Sequence, residues 1–295
     1  MLGMFNETMN ASFEKNESSI EKLERLLGEM AAEMNDDLSQ YSDRDEGQIV
    51  NDDCTLNMLA WQKGKHGPYD KVGDIKMDKQ FIAERDLVNS GAVGKVNQDS
   101  ILDHYHQQKR EGHGNLLEMA ITSILYKVLH DQFIVVRASQ YDDYANGVDN
   151  VIVNKETGDV VCAFDEVRDD QSGERFEKKV NKVRDIAKKG GTEIKYGLTI
   201  DKQSSPELVK KQIDNIPVFY LAVDRDHLLE LLEKMDYSKT SISEIEKSVY
   251  DNLIVSLEQQ IALLLDENLP ENIQNNIQSF QESLETMRRL MEKIA

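Results

Sequence analysis

Cysteine, proline and tryptophan are scarce in this chain, with two, four and one in 295 residues. Two cysteines, Cys54 and Cys162, stand far apart and in no paired spacing, which excludes a disulfide framework and a zinc cluster built on paired thiolates. That usage fits a reducing cytoplasm. With few prolines and 39 % hydrophobic residues, the composition is that of one or two soluble globular domains rather than a disordered chain. No apolar run approaches the roughly 18 residues a membrane span needs. The first stretch, MLGMFNETMNASFEKNESS, lacks a basic segment followed by an apolar one. The sequence therefore predicts a cytoplasmic chain, neither exported nor inserted in a membrane.

Positive charge is also in short supply: the net charge is -20. Its distribution matters more than its sum. Residues 1–53 carry a net -10 and residues 225–295 a net -7, which leaves the middle nearly balanced. Within that middle, ERFEKKVNKVRDIAKK (174–189) has seven bases against three acids. A nucleic-acid partner would therefore be admitted locally, near this segment, and repelled by the acidic flanks. Arg175, Lys178, Lys182 and Lys189 could follow a phosphate backbone. They could equally form a solvated outer face.

What is present in strength is periodicity. Ser18 and Ser19 can cap a helix carrying Ile20, Leu23, Leu27, Met30 and Met34 on one seam. NDDLSQYSDRDEGQIVNDD reads as a mobile linker after it. Residues 54–110 predict short helices and loops around turn-rich KHGPYD and NSGAVGKVNQDS. From Asn115, NLLEMAITSILYKVLH predicts a helix, FIVVRAS a buried strand, and NVIVN and VVCAF two strands flanking a KETGD turn. The basic segment is an amphipathic helix stopped by Gly190-Gly191, EIKYGLTI a strand, SPELVKKQI a helix with Pro206 in its first turn, and PVFYLAVD a buried strand. This order predicts an α/β core at 111–224 with a mixed sheet flanked by helices. Residues 1–53 and 225–295 become helical amino- and carboxy-terminal extensions. In the latter, Ile245, Val249, Leu253, Leu257, Ile261 and Leu264 line one helix. Pro270 breaks it, and Ile273, Ile277, Phe280, Leu284, Met287, Met291 and Ile294 line the next. That seam fits the chain's own body, a homodimer or a partner protein.

Chemistry concentrates where acids stand at strand ends: Asp149 opens one strand and Asp165-Glu166 end the next, with Glu118 on the preceding helix. Carboxylates gathered there repel unless a cation lies between them. The element order together with Glu118, Asp149 and Glu166-Val167-Arg168 resembles the PD-(D/E)xK restriction-endonuclease-like superfamily, over residues 111–224. The resemblance implies a restriction-endonuclease-like fold and a nuclease that hydrolyses phosphodiesters of nucleic acid, DNA before RNA, with Mg²⁺ or Mn²⁺. It implies metal ligation by Asp149, Glu166 and the Val167 carbonyl, with Glu118 assisting directly or through water. Oxygen-only ligation suits those ions. Arg168 stands where the family has lysine; a guanidinium can stabilise phosphate charge but cannot accept a proton from water. Lys178, Lys179 or Lys182 on the basic helix could supply the missing lysine. The competing reading is a catalytically inactive scaffold that binds partner proteins through its helical arms.

Weaker signals carry less. Asp103, His104, His106 and His113 have no standard ligand spacing. SGAVGKVN lacks the phosphate-loop spacing, and DEVRDDQSGER lacks the calcium-loop glycine and glutamate.

Overall fold

A computed structural model describes residues 17–42, 47–62, 72–169, 174–202 and 205–294, apart from the side chains of 72–73, 166–169 and 174–177. KHGPYD therefore lies wholly outside the described residues, as do the Glu166 and Arg168 side chains.

The core helix α4 (His113–Leu129) is apolar almost all round, and twelve of its residues are buried. A helix of that kind belongs inside a fold. It feeds β1 (Phe133–Arg137), which pairs antiparallel with β2 (Asn150–Asn154), itself antiparallel to β3 (Val160–Asp169). Strand β6 (Val218–Asp224) then lies parallel to β3, giving the order β1-β2-β3-β6. The parallel step needs a crossover, and α6 (Glu174–Lys188) begins it. The sheet is therefore mixed, as the sequence predicts.

Two elements depart from expectation. SPELVKKQI is not a helix but strand β5 (Glu207–Ile216), paired antiparallel with β4 (Thr192–Asp201) in a separate two-stranded sheet. Leu208 and Lys210 alternate as its buried positions, and the Lys210 amine donates 2.8 Å to the Ala60 carbonyl. The second is a short helix, α5 (Gln140–Asn146), between β1 and β2, capped by Ser139 and ended by Gly147 in the left-handed region. The two sheets meet at the KETGD turn. There Gly158 (φ +82°) accepts from the Ile200 amide at 2.8 Å, so close that a Cβ would lie 1.9 Å from the Ile200 oxygen.

The flanking segments pack onto this unit. Helix α1 (Ser19–Ser39) starts at the Ser18 capping box and buries Leu23, Leu27, Met30 and Met34. The segment read as a mobile linker is in part built into the core. Ile49 and Val50 are buried, and their amides donate to Asn35 Oδ1 at 2.9 and 3.0 Å. Residues 72–111 hold longer helices than expected, α2 (Val72–Asn89) and α3 (Gln98–Glu111). Asp78 of α2 accepts from Tyr196 Oη at 2.5 Å and pairs with Lys195 at 2.6 Å, which ties that helix to β4.

The carboxy-terminal seam is consumed within the chain. After α7 (Arg225–Lys234), α8 (Glu244–Leu265) and α9 (Glu271–Ile294) turn their apolar rows inward. Ile273, Ile277, Phe280, Leu284, Met287 and Met291 are all buried, and Phe280 lies 4.7 Å from Phe219 and 6.3 Å from Phe164, ring to ring. The seam is therefore buried against α8, α4 and the sheet of the chain's own body. Buried apolar residues from all four sequence segments join one hydrophobic cluster. Among the described residues no helix is long and apolar enough to cross a membrane.

Candidate functional site

The sheet has two faces, and the candidate residues divide between them. On one face, α4 and α9 pack: Thr122 of α4 donates 2.9 Å to Asn150 Oδ1, and Phe164 and Phe219 meet Phe280. The other face is reached by α6, whose Val183 and Ala187 are buried.

Glu118 belongs to the α4 side. Its Oε2 accepts from Arg137 Nη2 at 2.6 Å, and the same Nη2 donates to Asn115 Oδ1 at 3.0 Å. Arg137 ends β1 and is only 9 % exposed in its side chain. Burial works against its charge, yet Glu118 and Asp53 hold the guanidinium firmly protonated. Both ends of this pair line a cleft of about 590 Å³ whose wall also includes Asp53, Lys109, Asp143 and Asp149. Burial pushes the Asp143 carboxyl up to about 6, against the pull of Lys109.

Asp165 belongs to the α6 side. It pairs with Tyr220 in the parallel ladder, so the two side chains stand on one face. Lys179 Nζ lies 3.4 Å from both of its oxygens and Lys182 Nζ 3.1 Å from Oδ2. The same ammonium groups sit over the Tyr220 ring, 4.3 and 5.8 Å from its centroid. Burial first, then the charges of Asp165 and Asp149, push the Tyr220 phenol well above its usual range. Its hydroxyl faces the Asp165 carboxylate without completing a well-formed hydrogen bond to it or to any other described residue.

Asp149 joins the two sides. Its amide donates to the Phe164 carbonyl and its carbonyl accepts from Ala138, each at 2.8 Å, so the backbone fixes it at the mouth of β2. It lines the cleft with Glu118, and its charge also acts on Tyr220.

Of the three acids expected to share one ion, Glu118 and Asp149 are described, and the Glu166 side chain lies outside the described residues. Among these, no three His, Cys, Asp or Glu side chains come together as a metal-binding group. Glu118 is held by Arg137 on the α4 side, and among the described residues Asp165 shares the Tyr220 neighbour with Asp149. The backbone of Glu166-Val167-Arg168 continues the ladder, opposite Leu221, Ala222 and Val223. The side chains of Glu166 and Arg168, and of Arg175 on the basic helix, lie outside the described residues.

The basic helix is less free for a phosphate backbone than its composition implies. Besides Lys179 and Lys182, Arg184 and Lys188 pair with Glu267 at 3.2 and 2.9 Å, and Lys178 is also engaged. His106 pairs with Asp86 at 3.2 Å rather than with the other histidines. The sequence does not single out Tyr220, and it marks Asp165 only by its place beside Glu166. Nothing in PVFYLAVD marks its tyrosine as polar-facing.

Comparison with family models, with curated proteins and with solved structures finds no match.

Proposed function

We propose that this chain hydrolyses phosphodiester bonds of nucleic acid at the α6 face, in the manner of a restriction-endonuclease-like enzyme with a rearranged site. The observation that carries the reading is the group formed by Asp165, Lys179 and Lys182 next to Asp149. The element order supports it too: α4, three strands, α6 and then β6 beside β3, with α5 and the β4–β5 hairpin as insertions.

The donor set fits a hard divalent ion. Mg²⁺ is commonly bound through one or two carboxylates with the substrate phosphate and waters completing its shell, so Asp149 and Asp165 suffice. When bound, Mg²⁺ or Mn²⁺ supplies charge stabilisation on phosphate oxygens and a more acidic water. The protein's own residues do the rest. Asp149 and Asp165 bring negative charge to the strand ends, and the carboxylates orient whatever cation they share. Lys179 and Lys182 already balance Asp165, and either ammonium can turn to a phosphate oxygen. A lysine from α6 then takes the place that Arg168 occupies in the sequence motif. The scaffold alternative would have to bind through surfaces other than the α9 seam, whose apolar residues are buried within the chain.

The test is Mn²⁺ titration by calorimetry on the wild type, Asp149→Ala, Asp165→Asn and Glu166→Gln, with cleavage of single- and double-stranded oligonucleotides assayed in the same buffers. Metal binding and cleavage in the wild type, both lost in the Asp149 and Asp165 variants, would support the site. Loss in Glu166→Gln with Asp165→Asn unaffected would return the second acid to Glu166. A wild type that neither binds Mn²⁺ nor cleaves would sink the enzyme.

A further inference from the structure

On the α6 face, Tyr220 carries a buried hydroxyl that the described residues leave without a well-formed hydrogen bond. The residue is 5 % exposed. Leaving such a group buried is unfavourable, a cost phenylalanine would not carry.

The ring is nonetheless held in place with care. β6 is an edge strand, and Gln260 of α8 caps it as a further strand would: the Tyr220 amide donates to Gln260 Oε1 and Gln260 Nε2 donates to the Tyr220 carbonyl, each at 2.8 Å. Asp165 fixes the register on the other side. Lys179 lies over the ring face. The result is a phenol ring held from its backbone, with two ammonium groups over its face and the Asp165 carboxylate on the neighbouring strand. A carboxylate close by that does not complete the bond is not the acceptor this geometry serves. An anionic oxygen entering beside the ammonium groups would be.

We propose that Tyr220 is a catalytic residue of this site, its hydroxyl donating to a non-bridging oxygen of the scissile phosphodiester. The inference rests on the phosphodiesterase reading above. The phenol keeps its proton throughout, so no bond to it forms or breaks. Its hydrogen bond shortens as negative charge builds on the phosphate oxygens, and Lys179 and Lys182 share that charge. Gln260 fixes the Tyr220 backbone in advance, and it is the Lys179 and Lys182 side chains that move to admit the phosphate.

The experiment compares wild type and Tyr220→Phe for Mn²⁺ affinity by calorimetry, for thermal melting and for oligonucleotide turnover. The expected result is a fall in turnover of about a hundredfold, with Mn²⁺ affinity within about twofold and a melting temperature equal to or above the wild type's. Wild-type turnover in the phenylalanine variant would overturn this inference and leave the nuclease reading standing. Reduced turnover accompanied by a lower melting temperature and weaker Mn²⁺ binding would make Tyr220 a structural residue, which also overturns it. A wild type without metal binding or cleavage would remove both readings together.

Discussion

Arg137 and Glu118 form a 2.6 Å ion pair whose two ends differ in exposure: 9 % for the arginine side chain, 26 % for the glutamate. Removing one end of such a pair leaves the other with its desolvation uncompensated, and the penalty grows with burial. Glu118→Leu is therefore expected to cost about 3 kcal/mol. Arg137→Met should cost less, about 1–2 kcal/mol, because the remaining carboxylate can reach cleft water. Urea unfolding of both variants checks the asymmetry. Equal costs would mean that the cleft solvates Arg137 as well.

A second buried pair ties α4 to the chain that leads into α8. Lys127 Nζ lies 2.6 Å from Glu246 Oε1, with side-chain exposures of 2 % and 0 %, and also donates to the Asp236 carbonyl. Glu246 Oε2 accepts from the Asp236 and Ser243 amides at 2.9 and 2.8 Å. Either Lys127→Met or Glu246→Leu alone should cost about 3–5 kcal/mol, and the double variant less than the sum of the two. A double-mutant cycle by denaturant unfolding measures that coupling; additive costs would count against it.

The contrast between these pairs and the strand-end acids shows how far the sequence could be read. α1, α4 and α9 were legible because Leu23, Leu27, Met30 and their like repeat at helical spacing, a local signal. β5 was not, because its buried Lys210 reads as polar and its pairing partner is fixed only in three dimensions by β4. Nor was the docking of Ile49 and Val50, which depends on one amide, Asn35, some fifteen residues earlier. At the candidate site the sequence points to Asp149 and, through the family resemblance, to Glu166 rather than its neighbour Asp165. Adjacent strand residues face opposite ways, so a difference of one position moves the carboxylate across the sheet. The ladder with β6, formed by residues more than fifty positions later, sets Asp165 opposite Tyr220 and Glu166 opposite Leu221, a register that no local pattern carries.

The junction between the two sheets offers a test of backbone geometry. Gly158 combines a positive φ with a contact that any Cβ would violate by more than an ångström, against a backbone oxygen that accepts no shift without breaking the Ile200 hydrogen bond. Gly158→Ala should destabilise by more than about 2 kcal/mol. Gly94, also at positive φ but with open space around it, should cost about 1 kcal/mol when changed to alanine. Comparing the two melting temperatures separates the clash from the conformational term, and similar shifts would show that the contact at Ile200 yields.

Asp143 carries the clearest expectation for pH. Burial raises its carboxyl to about 6 in the folded chain, with Glu118 adding to the rise while Lys109, at 3.6 Å, and Arg137 oppose it. An unfolded chain releases that proton near the ordinary aspartate value of about 3.9. Between those two values the folded state binds more protons, so stability falls as pH rises through the window. The loss is complete above about pH 6. Since the side chain is 37 % exposed at the cleft, solvent screening keeps the effect below that of a fully buried acid. Asp143→Asn, which cannot ionise, should match the wild type below about pH 4 and exceed it in melting temperature above about pH 6. Other titrating groups, His227 among them, remain in both proteins, so the difference between the two pH profiles isolates Asp143. If that difference stays flat from acid to neutral pH, the Lys109 and Arg137 charges dominate at this position and the carboxylate is ionised throughout.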